Sequence, residues 1–548
     1  MKKRLQFTLL IIAVATGITS AQKFVWSNTG GGAAGYEDAF GIATDSVGNS
    51  VFVGPYTTSA VFGTTNLTAV STSQDIYISK INASGVYQWT VSAGGKGGDG
   101  ANDVTMDAAG NVYVVGGIGD TAMFGSVKVN PPGGFVAKYN SAGVCQWAKA
   151  VAGSYIHKVA IDKAGNVYVT GTYNNSVKFG STTLTSAGAG DIFVAKYDNS
   201  GSVLWAISMG GPNDEIQGPG SIVADKAGNV YVTGTFTTTM TVGTKVLTSS
   251  GGANLGLFVA KFTTAGNYVW AVQATGTSND YWANDICLSP KGDAVYMYGS
   301  FNGSITLGTT TLGPAANYNP VLAKLDTAGN FTWAISAQST TFGKGSGVTT
   351  DTSGKVIVTG WLSPGTVNFG SYPVTSAYQD SYIARASSAG VWQWAKITGV
   401  NVFTYNDGGA VATDHQGKIY HAARYMGTIS LDGHPQTSSA SGNSWDAYVC
   451  MLDPTLVTGI NEQTSFGQVS IYPNPVSGNL NISISSDESK EVLVNIVDIA
   501  GQLIHSEKLA AGSGQTIATV NTSSFAKGMY FVQLVSGNES TTKKIIVE

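Results

Sequence analysis

Apolar and polar residues alternate in short runs along most of this chain. VYVTG at Val167 and FVAKY at Phe193 alternate with period two, which sends successive side chains to opposite faces of a strand. Their Val, Tyr, Phe and Thr content favours the same conformation. The runs are separated by Asp-x-x-Gly-Asn and Ser-x-Gly pieces, which read as hairpin turns. The pattern therefore predicts many short strands joined by tight turns and no helical protein.

The runs also repeat. IDKAGNVYVTGTY at Ile161 matches VADKAGNVYVTGTF at Val223, with related forms at Met106, Ala43, Leu288, Thr350 and Thr413. A second element, DIFVAKYDNSGSVLWA at Asp191, returns at Phe135, Phe258 and Val321. Trp26, Trp89, Trp147, Trp205, Trp270, Trp333 and Trp394 recur about every 61 residues. Four strands per unit with a recurring aromatic is the grammar of a propeller, in which each unit buries its apolar face only against its neighbours. Seven units predict seven blades over residues 22–457. The first Trp lacks a strand before it and the last unit, ending DAYVCMLD at Asp446, lacks a Trp after it. The strand around Trp26 is therefore expected to complete the last blade and leave no long open edge.

These GNVYVTG and FVAKYD elements resemble the bacterial SBBP β-propeller repeats, a resemblance that fixes architecture and implies no particular activity.

Composition fits this reading. Charged residues make up only 11% of the chain and glycine reaches 71 residues, so the surface must be polar through Ser, Thr, Asn and Gly. The net charge of −4 and the absence of a basic run beyond residue 4 argue against nucleic acid. Cys145, Cys287 and Cys450 are far apart and sit among apolar neighbours, so free buried thiols are expected. Residues 1–21 read as a signal peptide: a Lys2-Lys3-Arg4 start, an apolar stretch from Phe7, and small residues at Thr19 and Ala21, giving cleavage before Gln22. No stretch is long enough to predict a membrane-spanning helix in the mature chain.

After a linker at 458–466 the pattern changes. Residues 467–548 predict about seven strands in a small Ig-like sandwich. They resemble the type A C-terminal sorting domain of the type IX secretion system. The resemblance rests on Tyr472-Pro473-Asn474-Pro475, the turn containing Gly501, Gly528-Met529-Tyr530, and Lys543-Lys544 in the last strand. It implies the type IX machinery as partner and export from a Gram-negative bacterium, with release or attachment at the outer cell surface.

No nucleophile elbow, zinc helix, phosphate loop or EF-hand occurs, so no catalytic residue, cofactor or metal ligand is assigned. His415, His421 and His434 cluster in the last repeat; His421 fills a slot held elsewhere by Val and is expected to be structural. The connections between blades are more informative. They carry Tyr36, Asp38, Asp214, Asp280, Trp282, Tyr405 and Asp407 and should emerge on one face, where aromatics with amides and carboxylates suit a sugar or a peptide. The sequence thus points to a binding module for a glycan or a partner protein. A hydrolase or lyase with acids at the channel mouth and a structural surface component are the alternatives.

Overall fold

The computed structural model describes residues 22–32, 35–213, 220–249, 255–277, 281–399, 405–439, 444–455, 469–486, 489–499, 502–512, 514–536 and 539–548. The predicted signal peptide and linker lie outside them, as do Ala21, Asp214, Asp280 and Gly501. Every regular element among the described residues is a strand. Two compact units are present, Gln22–Pro454 and, C-terminal to it, Thr455–Glu548.

The first unit is a succession of antiparallel sheets in which sequence order is spatial order except where the first strand joins the last repeat. One sheet is Ser154–Ile161, Val167–Phe179, Thr182–Tyr197 and Val203–Met209. The Asp-x-x-Gly turns set its first hairpin. Asp162 accepts the backbone N–H of Ala164 and of Asn166, each at 2.9 Å, and its carbonyl accepts Gly165 N–H at 3.0 Å. In the repeat at Leu288 the pair is exchanged: Ser289 takes the Asp slot and its hydroxyl donates to Asp293, in the Asn slot, at 2.6 Å. The turn survives because either arrangement ties the two positions together.

Each sheet packs on the next. Tyr113, Val115 and Val136 of one sheet share a core with Val167, Val169 and Phe193 of the following one. Sheets buried face to face in succession are the propeller arrangement. The Lys23–Gly31 strand pairs antiparallel with Asp446–Asp453, with Ser27 opposite Cys450 and Thr29 opposite Tyr448. Ala39, Ile42, Phe52 and Tyr77 share a core with Ala412, Tyr420, Ala422 and Val449, so the first and last repeats are also packed together.

The repeating tryptophans latch neighbouring sheets. Trp147 donates its indole N–H to Asn199 O at 3.0 Å, and Trp205 donates to Thr264 O at 3.1 Å, each reaching the outer hairpin of the next sheet. The ring lies flat against a glycine of that hairpin: a Cβ on Gly201 would fall 2.9 Å from Trp147 Cδ2, and Gly201 has φ +82°. Trp394 is the exception. The last sheet has no outer hairpin, because its outer strand comes from the N-terminal segment, and the buried Trp394 N–H has no hydrogen-bond partner. A substitution pair tests the latch. Gly292 has a similar φ, +73°, but open space around it. Gly292→Ala should cost about 1 kcal/mol in left-handed strain alone, whereas Gly201→Ala should cost about 2–3 kcal/mol through added contact with Trp147. Urea unfolding of the two variants measures the difference.

The C-terminal unit has a three-stranded sheet, Val469–Tyr472, Asn479–Ser486 and Gly514–Asn521, and a four-stranded sheet, Leu503–Ala511, Lys490–Asp498, Gly528–Ser536 and Glu539–Val547. Leu480, Ile482 and Ile484 from the first meet Val492, Val494, Val532, Leu534 and Ile545 from the second in one core. Asn474 ties the Pro-Asn-Pro motif to the last strand: its amide donates to Lys544 O and its oxygen accepts Ile546 N–H, both at 2.9 Å. The two ends of the sequence motif are thus joined in space. Tyr530 donates its hydroxyl to Ala526 O at 2.8 Å, and Asp498 caps its turn by accepting Gln502 N–H at 2.9 Å.

Candidate ligand-binding site

The first strand of most repeats carries a bulge at the same height. Register breaks fall between Ala101 and Asp103, Ile156 and Lys158, Ala283 and Asp285, Gly345 and Gly347, and Asp407 and Ala410. A bulge turns an extra side chain out of the ladder and leaves backbone free to face another direction. Where these strands converge, a cavity of about 330 Å³ opens, lined by Asp38, Ala39, Phe40, Lys158, Asn284, Lys344, Gly345, Ser346, Trp361, Gly408, Gly409 and Arg424. Its volume lies at the lower end of small-ligand sites, roughly 300–1,000 Å³.

Most of this lining comes from corresponding places in the repeat. Phe40, Asn284, Ser346 and Gly409 each precede the turn-forming residue by five positions. Trp361 and Arg424 occupy the slot that Thr172 and Thr235 fill elsewhere. Lys158 shares a slot with Asp103 and Asp285 and lies 3.7 Å from Asp103. Burial opposes the charge of Lys158, but Asp103 and Asp285 outweigh it and hold its pKa above the usual lysine value. Asp103 accepts Val159 N–H at 3.0 Å; Asp285 accepts Val348 N–H at 2.8 Å and the Ser221 hydroxyl at 2.7 Å. These carboxylates therefore cross-link several sheets beside the axis.

The aromatic walls are held rigidly. Trp361 stacks on Phe342 with centroids 5.0 Å apart and planes at 19°, and Tyr318 packs on the far side of Phe342 at 4.5 Å. Lys344 Nζ sits 4.2 Å above the Trp282 ring. The Arg424 guanidinium lies 4.4 Å over Trp445 and 5.6 Å from the Tyr36 ring, and its Nη1 is 3.1 Å from Asp38 Oδ1 and donates to the Tyr36 hydroxyl. Such contacts favour one rotamer for each cation.

Of the residues expected from sequence, Asp38 lines the cavity, and Tyr36 and Trp282 flank it through Arg424 and Lys344. Asp38 is fully buried and Trp282 half-buried. Neither is an exposed loop side chain: Asp38 lies on a connection whose backbone N–H bonds to Pro55 O, and Trp282 lies within the Tyr281–Leu288 strand. Tyr405 and Asp407 belong to the Tyr405–Thr413 strand that supplies Gly408 and Gly409; their side chains fall outside the description. Sequence reading missed Lys158, Asn284, Lys344, Trp361 and Arg424. The signal was present for Trp361 and Arg424, as the two large side chains in a slot that elsewhere holds Pro55, Gly117, Thr172, Thr235 and Ser300.

His421 is buried and structural: one ring nitrogen meets the Ser381 and Tyr448 hydroxyls, each at 3.1 Å, and the other meets Ala410 O at 3.2 Å. Burial depresses it to about 4, so it is neutral at pH 7. Among the described residues no group of three His, Cys, Asp or Glu side chains is placed to hold a metal. All three cysteines are free; Cys450 is buried and the other two are half-buried.

Beside the cavity, Glu37 is fully buried. Burial, then Asp446 nearby, raises it to about 8, and Gly32 N–H donates to its other oxygen at 3.2 Å. The folded state therefore keeps a proton that the unfolded chain releases near pH 4.5, so this contribution is complete below pH 4.5 and is lost as pH rises to about 8. Glu37→Gln should flatten the fall in stability across that window by on the order of 2–4 kcal/mol. Denaturant titrations from pH 5 to 9 check it.

Comparison with known proteins adds three findings. Residues 470–548 match the family described as the secretion system C-terminal sorting domain. An uncharacterized WD repeat-containing protein of Acanthamoeba polyphaga mimivirus is 23% identical over 418 residues, an alignment covering 60% of this chain and 30% of that protein's length. Among solved structures, the Dos1 propeller aligns at TM-score 0.38 and 11% identity, covering 80% of this chain and 96% of its own. BamB from Moraxella catarrhalis aligns at TM-score 0.23 and 13% identity, covering 64% and 95%. No described helix is long and apolar enough to cross a membrane. Residues 470–548 are a secretion system C-terminal sorting domain, and the protein that carries them is a client of the type IX machinery, secreted or attached at the cell surface.

Proposed function

We propose that the protein is an exported seven-bladed propeller of the SBBP repeat type that binds a glycan in the cavity at its channel mouth. Residues 1–21 act as its signal peptide, removed after Ala21, and the C-terminal unit is an Ig-like sandwich. The observation that carries the reading is the cavity itself: its lining combines the Trp361 indole with the Asn284 amide, the Lys158 and Lys344 ammoniums, the Arg424 guanidinium and the glycine backbone at 345, 408 and 409. A flat indole packs on the C–H face of a sugar ring, and fixed polar groups select its hydroxyls. Binding without turnover is favoured over hydrolysis because the lining carboxylate, Asp38, is engaged by Arg424, and Asp103 and Asp285 brace the sheets.

Purified chain from Gln22 onward, screened on a glycan array and then by calorimetry, tests the proposal. Trp361→Ala should weaken binding by about 1–3 kcal/mol. Binding that survives Trp361→Ala unchanged places the ligand elsewhere. Product release from a polysaccharide panel would replace the binding module with an enzyme.

A further inference from the structure

Three cationic side chains line the cavity, Lys158, Lys344 and Arg424; Asp38, also in the lining, pairs with Arg424, and Asp103 and Asp285 stand against Lys158. That concentration stands out in a chain of net charge −4 with only 29 Lys and Arg in all. Asp103 and Asp285, behind Lys158, direct oxygens at Val159 N–H, Val348 N–H and the Ser221 hydroxyl. Lys158, with its two carboxylates, thus adds a polar group to a lining that also holds Trp361.

Resting on the glycan-binding reading above, we infer that the cavity takes the end of an acidic saccharide, a terminal sugar bearing a carboxylate or a sulfate. The indole of Trp361 provides the platform for the ring. Lys344, held over the Trp282 ring, and Arg424, held over the Trp445 ring, bring N–H donors to the oxyanion, and Lys158 adds a further ammonium to the lining. Charge-assisted hydrogen bonds of this kind are stronger than neutral ones, and a cavity walled by aromatics screens them less than open water does. A cavity of about 330 Å³, at the lower end of small-ligand sites, suits a short chain end rather than a long stretch of polymer.

The test compares oligosaccharides of equal length that are neutral, carry a terminal or an internal uronate, or carry a terminal sulfate, titrated into the purified chain from Gln22 onward. Acidic ligands should bind about tenfold or more tightly than neutral ones. Lys344→Gln should bring the ratio of acidic to neutral affinity close to one, while Lys344→Arg, which keeps the charge, should retain the preference. If uronate, sulfate and neutral ligands bind alike and all depend on Trp361, the acidic assignment is overturned and the glycan-binding reading stands. If only internal uronates bind, the chain-end assignment is overturned. If no saccharide binds, both readings fall together.

Discussion

A chain that starts at Gly32, without the Lys23–Gly31 strand, should lose at least about 3–5 kcal/mol of stability and associate in solution. The strand buries Phe24 completely, and Trp26 donates to Ala83 O at 3.0 Å in the neighbouring sheet. Without it, Asp446–Asp453 becomes an open edge whose backbone groups can pair with another molecule. Thermal unfolding and size-exclusion chromatography read both effects. A melting curve and elution volume equal to the parent's would mean that the ring is not held by this strand.

The second large effect concerns export. A chain ending at Pro454 should accumulate inside the outer membrane, with the extracellular and surface-bound fraction at background in a fractionation blot. A milder variant locates the cause. Asn474→Ala removes both hydrogen bonds between the Pro-Asn-Pro motif and the last strand, at a cost of about 1–3 kcal/mol to this unit. It should reduce delivery while leaving the first unit's unfolding transition in place. Normal delivery of the truncated chain would separate export from residues 470–548.

The strands were legible because the turns are. Asp162, Gly165 and Asn166 are local in sequence and bond to one another, so their pattern reports the hairpin directly. The Trp26 strand stood out because its repeat was incomplete at one end and the last repeat at the other. The cavity was harder to see, since it is assembled from residues hundreds of positions apart that share only a slot in the repeat. Trp361 and Arg424 fall in one such slot, and Lys158 shares another with Asp103 and Asp285. Only the ring brings these side chains together. Asp38 and Trp282 were found by type, but their burial depends on where Arg424 and Lys344 reach, which no local pattern encodes.

The same holds for the carboxylates that begin the third strand in several repeats. Asp75, Asp191, Asp380 and Asp446 are all buried, and each packs over a glycine near the end of the sheet's outer strand: Gly94, Gly210, Gly399 and Gly31. A Cβ on any of these glycines would come within 3.0 Å of the carboxylate. The Asp and its Gly are a matched pair across two strands, invisible until the pairing is known.

The cavity on the bulged inner strands is where this exported propeller is expected to meet its ligand. Hydrogen–deuterium exchange of the purified chain, with and without the saccharide that binds best, tests it most directly. Exchange should slow only at Asp38–Phe40, Lys344–Ser346 and Gly408–Gly409, with the outer hairpins unchanged. Protection that spares these segments and falls on the outer strands or on residues 470–548 would contradict it.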